Sequence, residues 1–186
     1  MTNHTNISTR TGAVAAMAAG VVAGVFGLLS ITDSQSGEST TVGFEHFILG
    51  GLTLQLLLLI PAVLYLGRLA GRPRAAAIAV TGQAALAALT VVSNVRGEDP
   101  SFFAAVAAPS NLLIVGGLVV VAIGLRRAGA LSKMMAIALP VSWILTLAAG
   151  GIFAPLAGAY WFALGWMLHH GELPRPAVAR SEAAHA

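Results

Sequence analysis

Residues 47–67 read FILGGLTLQLLLLIPAVLYLG, a run of 21 residues without one charge. A helix needs about 20 predominantly apolar residues to cross the ~30 Å hydrocarbon core of a bilayer, so this run reads as a membrane span. Pro61 within it predicts a kink, which is tolerated where neighbouring helices satisfy the freed backbone groups. The composition agrees: 57% of the chain is hydrophobic and 9% charged, against about 25% charged in a soluble domain. So few charges cannot cover a soluble fold of 186 residues, and much of the surface must face lipid.

Working outward, 13–31 is an earlier span. The polar leader at 1–12 carries Arg10, and no small-residue cleavage site closes the apolar stretch, so it reads as a retained helix and not a signal peptide. Further spans follow at 75–94, 111–125, 133–149 (with Pro140) and 151–168 (with Pro155). The stretch 104–109 is apolar enough to dip into the bilayer, and Gly150-Gly151 allows only a minimal turn between the last two helices. The expected fold is all-α, a polytopic membrane bundle of about six transmembrane helices. One transmembrane domain fills 13–170, behind a cytoplasmic leader (1–12) and ahead of a disordered cytoplasmic tail (171–186) that holds Pro174 and Pro176.

Charge sets the orientation. Arg10, Arg68, Arg72, Arg74, Arg126, Arg127, Lys133, Arg175 and Arg180 fall on one side of this layout; Arg96 falls on the other, among Asp33, Glu38, Glu45, Glu98 and Asp99. The positive-inside rule makes the first side cytoplasmic, which gives a multi-pass protein of the inner (plasma) membrane with both ends inside. The pI of about 10.2 follows from this topology and implies no nucleic-acid partner, because no basic cluster is interleaved with stacking aromatics. The partner is the lipid bilayer. There are no cysteines, which excludes disulfides and thiolate sites. No span holds a metal-spaced His/carboxylate set, and His46 is at the opposite end from His169-His170, so neither a metal nor a haem cofactor is expected. Gly20 and Gly24 form a GxxxG that permits close helix approach, read here as packing inside the monomer.

Polar groups at membrane depth mark function or helix contacts. Phe44-Glu45-His46-Phe47 stands at the outer mouth of the second span. Rings that bury the Glu45 carboxyl would keep it protonated, making a proton donor with His46 as its relay. The plainer description is an acid favoured by a helix N-terminus beside an interfacial histidine. Gln83, Ala87, Thr90 and Asn94 share one helix face, which either lines a polar cavity or hydrogen-bonds a neighbouring helix. Arg96 invites a salt bridge with Glu98 or Asp99, or a role in holding a polar headgroup. Asn111 after Pro109 reads as a cap. Trp143, Tyr160 and Trp161 are either packing and anchoring groups or inward rings whose π faces stabilise a cation.

A small cysteine-free bundle with an acid at an early helix mouth and several rings resembles the bacterial integral-membrane terpene cyclases. That resemblance implies a metal-free enzyme, without cofactor, that cyclises a lipophilic prenylated small molecule inside the bilayer. An acid protonates an alkene or epoxide, a carbocation cascade follows among aromatics, and a base takes the last proton. Glu45 matches the early acid, with His46 beside it. The second acid of the larger fungal relatives comes late in their chains. Here Glu172 and Glu182 fall in the tail, so Asp99 or Glu98 would take that role. Phe44, Phe47, Trp143, Tyr160 and Trp161 would line the pocket, and Gln83, Asn94 and Arg96 would orient the polar end. The rival expectation is a non-enzymatic membrane protein: a transporter-like carrier, an immunity factor or a complex subunit.

Overall fold

A computed structural model describes residues 8–36, 42–148, 152–171 and 173, with backbone alone at 32–36 and 42–45. The described chain forms α1 (Thr9–Ser36), α2 (Val42–Leu69), α3 (Pro73–Arg96), α4 (Phe103–Arg127), α5 (Lys133–Leu147) and α6 (Ala154–His169), with no strand among these residues. Among the described residues, four segments are long and apolar enough to cross a membrane: Thr9–Ile31, His46–Leu69, Pro73–Arg96 and Phe103–Arg127. At 15 and 16 residues, α5 and α6 are about 22–24 Å long, shorter than the hydrocarbon core.

Local chemistry sets the ends. The Ser8 hydroxyl accepts the Thr11 N–H at 3.1 Å and caps α1. Ser132 caps α5 in the same way through the Met135 N–H at 3.3 Å. Pro73 opens α3, where its missing N–H costs nothing. Gly97 closes α3 in the left-handed region (φ 71°), its N–H returning to the Ser93 carbonyl. Two ends depart from expectation. α2 starts at Val42, and α4 starts at Phe103, eight residues before the expected 111, with Pro109 inside the helix. Asn111 is therefore not a cap. It stands two turns into α4, where its side chain is bonded within the bundle.

Each helix packs on its neighbours in sequence, and α6 returns to α1, so the bundle closes as a ring. Alternation is antiparallel throughout. Gly12 meets Tyr65 and Gly51 meets Phe26 across α1 and α2, while Gly67 meets Ala76 and Gly124 meets Ala70 at one end of α2, α3 and α4. That end collects Arg10, Arg68, Arg72, Arg74, Arg126, Arg127 and Lys133. The other holds Arg96, Glu98 and Asp99.

Outward faces are as apolar as the core: Val21, Leu57, Ile78, Leu112, Ile137 and Leu156 are all exposed, one from each helix. Hydrocarbon solvates such faces, so burying apolar area does not drive helix association here; close packing of small residues does. On α1 and α6, a Cβ at Gly20 would fall 2.5 Å from the Gly158 carbonyl, and one at Gly165 2.7 Å from that of Ala13. The Gly20/Gly24 pair thus packs inside the monomer, against Gly158. Of the expected tail, Gly171 and Leu173 are described, and Leu173 is buried against the core.

Candidate functional site

The interior divides by depth. Towards the basic end it is packed with Leu59, Leu66, Leu118, Leu125, Leu139 and Leu164, all buried. Towards the acidic end it is polar. α2 and α3 run antiparallel there, which sets the first turns of one helix against the last turns of the other. His46 Nδ1 bonds the Asn94 amide oxygen, and the Thr53 and Thr90 hydroxyls meet at 2.8 Å two turns deeper. An amide oxygen accepts, so in the tautomer that donates to Asn94 from Nδ1 the second ring nitrogen, Nε2, is the acceptor.

Across the bundle the Asn111 side chain works twice. Its Nδ2 donates to the Ala107 carbonyl at 2.9 Å, and its Oδ1 accepts the Trp143 indole N–H at 2.8 Å. Gln55 Nε2 reaches Thr146 at 3.5 Å, while Thr146 donates to the Ser142 carbonyl at 2.9 Å. Among the described residues, four buried side-chain atoms have no hydrogen-bond partner: Gln55 Oε1, both polar atoms of Gln83, and Ser93 Oγ. Such groups are costly in a bundle surrounded by lipid.

Beside His46 a groove of about 470 Å³ runs between α1 and α2, within the range of small-molecule sites. Val21, Val25, Phe26 and Leu29 line it from α1, and Phe47, Gly50, Gly51 and Leu54 from α2; among the described residues His46 is its single polar side chain. Two features open it. Gly51 lets the Phe26 ring lie against the α2 backbone, where a Cβ would stand 2.9 Å from Phe26 Cβ. Phe47, Val21 and Val25 are exposed, so the groove faces the lipid.

The candidate residues therefore separate. His46, Phe47 and Asn94 come together at the groove. Glu45 immediately precedes them on α2; its side chain and that of Phe44 lie outside the described residues. The face of Gln83, Ala87 and Thr90 is buried in the bundle, and Asn94 at its end is half-buried. Arg96 pairs with Glu98 at 3.3 Å, both exposed, and Asp99 is exposed in the same connection, away from the interior. Trp143 and Trp161 are buried, and the Tyr160 ring meets Trp161 edge-on at 5.8 Å between centroids. The Trp143 indole turns to Asn111, and the Tyr160 hydroxyl reaches the Met135 carbonyl (3.0 Å) in the first turn of α5, near the basic end.

Sequence reasoning passed over Gln55 and Thr146. The signal for Gln55 was present, a lone amide inside LTLQLLLL. In comparisons with known proteins, no family model, no curated protein and no solved structure matches this chain.

Proposed function

We propose that this chain is a plasma-membrane enzyme that takes a prenylated small molecule laterally from the bilayer and cyclises it without metal or cofactor. One observation carries the reading: His46, a residue able to transfer protons and held by Asn94, is the sole polar side chain among the described residues of an apolar groove that faces lipid. The groove receives the prenyl chain. Glu45, the adjacent residue, donates a proton to an alkene carbon, and the π electrons of the next double bond close a C–C bond onto the cation. Nε2 of His46 takes the proton lost as the final alkene forms, then returns it to Glu45. Product and substrate are isomers, so no co-reactant is needed. With the basic end in the cytoplasm, the reacting centre stands near the outer leaflet.

The test incubates purified protein in nanodiscs with farnesylated and geranylated acceptors and follows products of unchanged mass by chromatography. An isomer that forms with the native chain and vanishes in Glu45→Gln and His46→Gln supports the cyclase. Its formation at full rate in both variants sinks the assignment.

A second reading, a carrier without catalysis, draws on the orphan atoms of Gln55, Gln83 and Ser93, which offer hydrogen bonds to a polar solute in mid-bundle. It predicts solute flux in proteoliposomes that is lost in Gln83→Leu and indifferent to Glu45→Gln.

A further inference from the structure

A second groove, of about 480 Å³, lies between α4 and α5, well away from His46. Val119, Ala122 and Ile123 wall one side; Ala136, Ile137 and Val141 wall the other. Its mouth at the basic end is formed by Arg126, Arg127 and Lys133. From that mouth the walls run eight residues along each helix, about 12 Å, which is less than one leaflet of a ~30 Å hydrocarbon core.

We infer that this groove is a site for an anionic phospholipid, with the phosphate held by Arg126, Arg127 and Lys133 and the upper acyl chain laid between α4 and α5. Two independent features match that occupant. The walls are wholly apolar and exposed at Val119, Ile123, Ile137 and Val141, so hydrocarbon reaches them from the side. The three cations have no ion-pair partner among the described residues.

The placement of the charges argues for a ligand beyond the ordinary needs of a helix. Arg126 and Arg127 stand in the last turn of α4, where a helix end favours cations. Lys133 does not. It opens α5, whose first turn holds no acid, so it adds its charge to an end that is already positive. The mouth is thus a concentration of positive potential that an anion would relieve, at the depth where lipid phosphates lie. Basic pockets between spanning helices recognise anionic headgroups in this way. The depth of the groove also discriminates: it suits acyl chains of one leaflet and is too short for a spanning helix of another protein.

Native mass spectrometry of the full chain, delipidated in neutral detergent and titrated with phosphatidylglycerol or phosphatidylcholine, tests the site. The native chain retains phosphatidylglycerol preferentially, and each of Arg126→Gln, Arg127→Gln and Lys133→Gln weakens that retention about fivefold. Arg10→Gln with Arg74→Gln, on the same face of the bundle but outside the groove, leaves it intact. Ile137→Trp, which fills the groove and spares every charge, also reduces retention, so the result does not depend on the charge variants folding. Equal retention of phosphatidylcholine, equal loss in the Arg10/Arg74 control, or displacement by inorganic phosphate at the lipid's own concentration would each overturn the proposal.

Discussion

The indole N–H of Trp143 on α5 donates at 2.8 Å to the side-chain oxygen of Asn111 on α4. Trp143 is buried and Asn111 half-buried, and their hydrogen bond joins α4 to α5.

Asn111→Ala leaves that N–H without a partner and should lower stability by about 1 kcal/mol, near the values found for interhelical hydrogen bonds in bilayers. Trp143→Phe placed on the same background removes the orphan and should recover part of the loss. Reversible unfolding in mixed micelles measures both. If the double variant is less stable than either single one, the hydrogen bond is not what Asn111 contributes.

The α1–α6 seam makes a sharper contrast. Gly20→Ala sets a methyl 2.5 Å from the Gly158 carbonyl, and should cost about 1–3 kcal/mol through forced separation of the helices. Gly24→Ala, four residues on, meets nothing within 4 Å and should be nearly neutral. Thermal denaturation followed by helical circular dichroism separates the two.

Gln83 is fully buried, with both polar atoms unpaired. Gln83→Leu removes two unsatisfied groups at similar volume, so stability should rise by roughly 1–3 kcal/mol. A gain in melting temperature together with lost turnover or flux marks Gln83 as a ligand contact. A fall in melting temperature would show that its amide is satisfied in the folded protein.

At the groove, the proposed cyclase predicts that His46→Gln, by removing the proposed base, reduces conversion of a prenylated acceptor by about 10²–10⁴-fold, the usual contribution of acid–base catalysis. Asn94→Leu keeps the imidazole but frees its tautomer and orientation, so its effect should be smaller and fall on kcat more than on KM. Equal rates in native protein and His46→Gln would remove His46 from the reaction.

Much of this bundle is legible in the sequence because lipid imposes one coarse rule, long uncharged runs separated by charged turns. The rule places the spans and gathers the cations at one end. It fails at α4, where Pro109 and Asn111 look like a boundary. Rules for caps and breakers come from helices in water. Inside a bundle, neighbouring groups supply the bonds a proline forgoes, and Asn111 is turned to Trp143 instead. The site was readable only in pieces. His46 and Asn94 were each visible, but their meeting depends on the register of two helices 48 positions apart. The aromatic residues show the reverse: period alone does not say which neighbour a ring faces, and Trp143 and Tyr160 face different ones.

The closure of the ring also orders the birth of the protein. α1 leaves the ribosome before α6, yet the small-residue face through Gly20 is matched by Gly158, about 140 residues later. At 5–20 residues per second, α1 waits on the order of ten seconds in the membrane before its partner exists. During that interval its glycine face is open to any other helix, so the seam most dependent on close fit is also the one most in need of a guardian during synthesis. A circular permutant that joins the two ends and opens the α3–α4 connection would bring α6 and α1 out together, and would shed that dependence.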